Sequence, residues 1–393
     1  MNFIKITLLN IFYILMFFIL FFSCNEKNKY SEKPSSFNFM KLKIDTLDCT
    51  IKIDSADFNE YKIFSVTNNG VFCGYNGKNH SVYLYSLNLK KQIGKFKLNK
   101  SFEKTANESI TGIYIQNIDS IFVLSRTNIS LYNSYGKVLK KTPINIAVTS
   151  SYFNLNYLLD FSECRSFTYD SLSHVLYIPS INPTISPSDL NHYESPFITE
   201  YNLVLNKFNL LPIKYSNLYL HDYYGFMTGI QFSLINKNKD VLYNFPIDPN
   251  IYLYNMKTDQ IRIFGGKARP TLPYSPISAP LDKKFAYYDD KKILHLMENI
   301  RYYKIFKDGR GLFYRPYEEP VEYKTEKSSG RFPNFGDKKR YITVFDSNFN
   351  IIYNLNLNEK MFLLGRAFVT KDGLYVPSPL HNSLYFKIFR IKT

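Results

Sequence analysis

The sequence predicts an all-β chain: a six-bladed β-propeller with four antiparallel strands per blade, its ring closed by an amino-terminal strand. Three observations lead there. An alternating strand ending in an aromatic and a polar turn residue recurs along the chain. A hairpin whose second strand starts on an aliphatic residue precedes each copy. The copies also keep a common spacing.

The aromatic-ended strand appears at Val82–Ser86, Ile129–Asn133, Ile198–Asn202, Ile251–Asn255 and Ile342–Asp346, with a weaker copy at Leu384–Lys387. Its period-two alternation between turn residues is the grammar of a hairpin. In most copies a polar turn and another apolar strand follow, as in Gln92–Phe96 and Gln260–Phe264. The preceding hairpins start their second strands at Val71, Ile121, Val175, Val241, Leu312 and Leu374. Turns such as Asn69-Gly70, Asp308-Gly309 and Asp372-Gly373 suit the positive φ of tight hairpins. Pro179, Pro246, Pro316 and Pro377 are expected to end these strands, because proline has no N–H to give a ladder.

Two hairpins make a four-stranded module. The six anchors lie about 61 residues apart on average, which fits propeller blades. Leu42–Ile44 and Ile51–Ile53 precede the first full unit and are placed to complete the last blade, which would leave no open sheet edge. Asn182–Ser195 and Glu318–Lys339 read as surface loops. Asp289–Arg301 reads as a short helix, with Ile293, Leu296, Met297 and Ile300 at helical spacing. The rival architecture, two stacked β-sandwich domains, does not account for six similar units at one period.

The amino terminus is built differently. Leu8–Phe22 is apolar except for Asn10, Lys5 is the only charge before position 26, and Ser23-Cys24 precedes a polar stretch. That pattern describes a secretory signal, too short to span a bilayer comfortably. A small residue directly before Cys24 suggests a lipoprotein signal with Cys24 as the lipidated residue. An uncleaved anchor and ordinary secretion are the alternatives. The expected organisation is a signal over 1–23, a flexible tether over 24–40 and one propeller over 41–393, exported as a bacterial membrane lipoprotein of the outer membrane, on its periplasmic or cell-surface face. Cys49, Cys73 and Cys164 then remain without paired spacing and read as small buried residues.

The charge is +16, and removing residues 1–23 takes away only Lys5. Lysines are dispersed, with no nucleic-acid-binding module, so nucleic acid is not an expected partner. There is no Trp, which excludes the Trp-Asp signature of WD repeats and the Asp box of sialidases. The chain also lacks HExxH, GxSxG, Walker, GxGxxG and EF-hand motifs, and Gly265-Gly266 matches the kelch doublet only once. No cofactor, metal site or catalytic residue is expected.

Two ligand-binding signals remain. Arg165, Arg301 and Arg366 each stand just before the first strand of a unit, where equivalent positions form a ring about the propeller axis. Guanidinium forks there would attract a carboxylate, phosphate or sulfate; salt bridges within or between blades are the plainer explanation. His221 and Asp222, with Tyr223 and Tyr224, form a polar-aromatic cluster before the fourth unit. They are a candidate pocket wall, or simply a capped loop.

The lipoprotein-like start and six modules of about 60 residues together resemble a family of uncharacterised Bacteroidetes lipoproteins, similar in form to TolB-like six-bladed propellers. The resemblance covers about 350 residues. It implies fold and location and carries no catalytic residue across. The expected function is a non-catalytic binding or scaffold protein of the envelope, with an envelope protein, a peptide or an anionic glycan as partner. The alternatives are a propeller lyase or hydrolase acting at the central channel, and a sensor subunit.

Overall fold

A computed structural model describes, with short gaps, residues 30–53, 61–98, 110–159, 167–268, 295–321, 337–357 and 362–392. It is a six-bladed propeller. Blade 1 is Ile63–Val66, Val71–Asn76, Ser81–Ser86 and Lys91–Lys97. Blade 2 is Ile110–Asn117, Ser120–Ser125, Asn128–Tyr132 and Val138–Pro143. Blade 3 is Thr168–Asp170, Val175–Ile181, Ile198–Asn202 and Lys207–Leu210, with the hairpin Ala147–Ser150 and Leu155–Leu159 joined to it. Blade 4 is Gln231–Leu234, Asp240–Asn244, Ile251–Asn255 and Gln260–Phe264. In blade 5 the inner position is split into Arg301–Tyr302 and Phe306–Lys307, followed by Phe313–Glu318, Arg340–Phe345 and Ile351–Leu357. Blade 6 is Phe368–Thr370, Gly373–Leu380 and Ser383–Lys392, completed on its outer edge by Lys43–Lys52.

Each blade is buried on both faces, so alternate residues of its middle strands feed different cores. Val175 and Tyr177 pack toward blade 4, while Leu176 and Ile178 pack toward blade 2. Val241 and Tyr243 face blade 3, and Leu242 faces blade 5. Among the described residues six apolar cores lie at the junctions, one between each pair of neighbouring blades. This explains why the middle strands read as near-continuous apolar runs.

The ring closes where Lys43–Lys52 runs antiparallel to Ser383–Lys392, from Lys43 opposite Lys392 to Lys52 opposite Ser383. The two expected short pieces are thus one ten-residue strand. Cys49 and Ile51 enter the core between blades 6 and 1, beside Phe72, Tyr85 and Phe386. Cys49 and Cys73 are buried free thiols, and burial pushes both upward from the ordinary thiol value. Cys24 and Cys164 lie outside the described residues.

Pro246 follows its strand, which ends at Asn244, as expected; the other three prolines do not end theirs. Pro179, Pro316 and Pro377 stay in register with Ile198, Ile342 and Phe386. In blade 6 the inner strand pairs only with residues 373–375, so Pro377 faces no inner ladder that would need its missing N–H. Its carbonyl instead accepts from the Leu363 amide at 2.8 Å, as Pro316 accepts from Tyr303 at 2.9 Å.

The aromatic-plus-polar signature marks a turn mechanism. Asn202 Oδ1 accepts from the amides of Val204 and Leu205, and Asn255 Oδ1 from those of Lys257 and Thr258. Five residues after the tyrosine, the chain enters the left-handed region at Asn206 (φ 52°) and Asp259 (φ 55°). Tyr201 and Tyr254 donate to these side chains at 2.8 and 2.9 Å. Tyr75 with His80 (φ 50°) and Tyr169 with His174 (φ 54°) repeat the device. His80 and His174 are therefore turn residues, of a type that tolerates positive φ.

Residues 30–37, expected within a free tether, are docked. Tyr30–Lys33 adds a parallel fifth strand to blade 4, pairing Tyr30 with Ile261 and Lys33 with Phe264. Phe37 then bridges to Ile351 of blade 5. Lys33 Nζ donates to Asn350 Oδ1 at 2.8 Å. A side chain at Gly265 would clash with the Ser35 backbone nitrogen, so only glycine fits there. Part of the insertion expected on the surface is also buried: Tyr193, in the 3-10 turn Leu190–Glu194, packs against Tyr219 of the short helix Asn217–His221. Of the expected helix over 289–301, residues 295–298 are helical and residues 289–294 lie outside the described residues.

Two predictions follow from this packing. Ile51 is 1% exposed and Leu47, on the same strand, 42%. Ile51→Ala should therefore cost about 3 kcal/mol, against less than about 0.5 kcal/mol for Leu47→Ala, read as shifts of the thermal unfolding midpoint. The second concerns alkali. Burial raises many tyrosines above their ordinary value: Tyr375 to about 12, and Tyr177, Tyr252 and Tyr314 further. Their stabilisation is complete below the unfolded value of about 10 and is lost as pH climbs through the folded values. Lys304 and Lys338, pushed down to about 8 by burial, act oppositely and add stability between about pH 8 and 10. Urea midpoints should hold or rise slightly up to pH 10, then fall steeply, with tyrosinate absorbance appearing together with unfolding.

Candidate functional site

Inner strands from all six blades surround a central cavity of about 790 Å³. Its walls include Phe64, Tyr114, Phe167 and Phe368, and it is edged by Lys62, Arg301, Lys304, Lys307 and Arg366. Asp308 is the one carboxylate among the described lining residues. That carboxylate is already engaged: Oδ2 accepts from Arg310 Nη2 at 2.8 Å and from the Tyr314 hydroxyl at 2.9 Å, and Oδ1 from the Arg310 and Leu312 amides. The cavity wall is therefore cationic.

Arg301 and Arg366 come together here as the sequence suggested. Arg301 opens the split inner strand of blade 5, and Arg366 ends the 3-10 turn Leu364–Arg366 just before the inner strand of blade 6. Tyr303 stands between them. Arg301 lies over its ring at 5.1 Å, and a Cβ on Gly365 would sit 3.1 Å from the ring, so only glycine lets the turn approach this closely without displacing it. The Tyr303 hydroxyl donates to Glu318 Oε2 at 2.8 Å, and Glu318 Oε1 accepts from Arg340 Nε at 3.1 Å, all three buried. This network fixes the ring that supports Arg301, and burial raises the Tyr303 phenol well above its usual range.

The other sequence candidates are placed differently. His221 and Asp222 are exposed at the end of the helix Asn217–His221 and do not line the cavity. Asp222 accepts a long 3.5 Å hydrogen bond from Tyr224, whose ring packs on Tyr219. Arg165 lies outside the described residues, two positions before the cavity-lining Phe167.

Sequence reasoning missed Lys62, Lys304 and Lys307. Lys62 occupies the same register as the arginines, directly before an inner strand, so a search for either cation would have found it. Lys304 sits in the break between the two inner segments of blade 5, which no periodicity announces. Desolvation pushes its ammonium down to about 8, and it makes no hydrogen bond or ion pair among the described residues. Those residues contain no cluster of three or more His, Cys, Asp or Glu able to hold a metal. They also contain no helix long and apolar enough to cross a membrane.

The channel, the blade count and the N-terminal closure can be compared with solved structures. A member of the DUF4221 family from Bacteroides vulgatus superposes with a TM-score of 0.66 at 17% identity, over 89% of this chain and 99% of its own. The chain has the fold of that DUF4221 propeller. The likeness expected from the sequence, to Bacteroidetes propellers of unassigned function, is met at the level of fold. A protein from Bacteroides fragilis named for presumed export is similar at a TM-score of 0.49 and 11% identity, over 93% and 99% of the two chains. No family model matches the sequence, and no curated relative does.

The buried Glu318 gives the site a structural test. Arg340→Met leaves that carboxylate without its guanidinium partner in a buried setting and should cost about 3 kcal/mol, read by chemical unfolding. Arg340→Lys should recover part of the loss.

Proposed function

We propose that this protein is exported, held to a membrane by lipid on Cys24, and binds an anionic ligand non-catalytically in its central channel. A carboxylated or sulfated glycan or an acidic peptide has the right chemistry. One observation carries the proposal: among the described residues five cations edge the cavity, against a single carboxylate whose oxygens are already taken. A cavity of about 790 Å³ is of ligand size. In a partly desolvated channel, arginine forks hold carboxylate or sulfate better than they would in water. The export reading rests on the apolar segment Leu8–Phe22 and the Ser23-Cys24 junction.

Lys304 favours a second reading, a lyase on an acidic glycan. An amine poised near pH 8 can abstract the proton beside a carboxylate that Arg301 and Arg366 would neutralise. Binding is preferred because the lining acid–base groups nearest Lys304 in the chain are committed elsewhere, the Tyr303 hydroxyl to Glu318 and the Asp308 carboxylate to Arg310 and Tyr314.

Calorimetric titration with sulfate and with polygalacturonate tests both readings. Binding should weaken about tenfold or more in Arg301→Gln and in Arg366→Gln. It should also weaken several-fold as pH rises through about 8, because Lys304 is cationic below its folded value and neutral above it. Lys304→Met should bind more weakly at pH 7 and lose that pH step. No binding by the wild-type chain refutes the ligand proposal, and appearance of unsaturated uronate absorbance would select the lyase.

A further inference from the structure

In a propeller the turns between strands 1 and 2 and between strands 3 and 4 of every blade lie on one face, and the 2–3 turns lie on the other. Large apolar side chains gather at the first of these, here called the turn face. Leu89, Tyr135, Leu172, Val204 and Leu205 are 63–88% exposed, each in a turn of this face on blades 1, 2 and 3. Ile118 and Leu139, also exposed, belong to the same face of blade 2. Of the four other exposed large apolar residues among those described, Phe39, Met40 and Leu47 lie on the N-terminal segment and Ile93 lies within a strand. Single exposed leucines are ordinary, but a crescent of them over three adjacent blades marks an interaction surface. An apolar cleft of about 210 Å³, lined by Phe122, Leu131, Leu203 and Val204 among others, lies between blades 2 and 3 within it. The turns are held from beneath, as where Asn202 ties the Val204 and Leu205 amides. Exposed Lys90, Lys91, Lys137 and Lys207 flank the tips, against exposed Asp119 and half-buried Asp170.

The occupant is indicated by where the N-terminal segment meets the body. Tyr30–Lys33 runs parallel to the outer strand of blade 4, which starts from the turn face, so Tyr30 stands at the turn-face end. Six residue steps separate Cys24 from Tyr30. A fully extended chain covers at most roughly 21 Å over that span. A membrane anchored at or before Cys24 is therefore held close to the turn face, on the blade next to the apolar crescent.

We infer that the turn face of blades 1–3 is a membrane-docking surface, its apolar tips entering the interfacial layer of a bilayer containing anionic lipid while the neighbouring lysines meet the headgroups. Aromatic and aliphatic tips flanked by lysine suit that layer. The inference rests on the anchoring part of the proposed function. It also orients the channel: Arg301, Arg366 and Lys62 stand at the opposite ends of the inner strands, away from the membrane.

The absence of Trp supplies the test. Full-length Leu172→Trp, Leu205→Trp and, on the opposite face, Asn79→Trp are reconstituted into phosphatidylethanolamine–phosphatidylglycerol vesicles, floated, and measured for fluorescence. All three positions are exposed turn residues, so the substitutions leave the cores untouched. The 172 and 205 reporters should shift to shorter wavelength and be quenched by brominated lipid but not by aqueous iodide, while the 79 reporter shows the reverse. If the chain floats and iodide quenches all three, the docking surface is refuted while anchoring stands. If the 172 and 205 reporters shift but brominated lipid does not quench them, a second copy or another protein covers the face and the inference is likewise refuted. A chain that does not float refutes both.

Discussion

Every blade of this protein has two apolar faces, and that single constraint dictates the rest. A sheet with one apolar face is satisfied by a helix or a partner sheet. A sheet with two needs a neighbour on each side, so a row of such sheets is stable only when its ends meet. Here they meet through Lys43–Lys52, which is needed less for its own ten residues than for the junction it completes between blades 6 and 1. The tyrosines belong to the same economy of space. They fill the cores with large side chains, and their hydroxyls reach the blade edges, where they bind the left-handed turn residues. One residue type thus builds the junction and fastens the hairpin.

The N-terminal segment extends that logic from the ring to its surroundings. From Tyr30 to Lys52 it meets the outer strands of blades 4 and 5 and then forms the outer strand of blade 6. A chain docked in this way cannot act as a long free leash, so only a few residues separate the body from position 24. The exposed turns of blades 1–3 and the inner-strand starts that carry Lys62, Arg301 and Arg366 lie on opposite faces, which gives the molecule a polarity that its symmetrical blades do not suggest.

Much of this was legible in the sequence, for a physical reason. Strand alternation, turn chemistry and repeat length are local properties, and they are enough to specify a four-stranded antiparallel unit and its number. The aliphatic anchors and aromatic-ended strands fall in the second and third strands of their blades. Where local reasoning failed, a longer-range contact intervened. Pro377 stays within its strand because the inner strand beside it has already ended. Tyr193 is buried because a distant helix covers it.

The candidate site divides along the same line. Arg301 and Arg366 could be proposed from register alone, since equivalent positions of repeated blades point to one axis. His221 and Asp222 looked similar in composition but lie outside the cavity, because their helix sits in a connection between blades rather than on an inner strand. By itself, the sequence determined the all-β class, the six units and the strand that closes them, because hydrophobic period and turn residues act over a few positions. The tertiary structure alone decided which cations share the channel, why Lys304 is held near 8, and which face carries the apolar crescent. Those properties depend on desolvation and on neighbours that are hundreds of residues apart in the chain and adjacent only once the ring has closed.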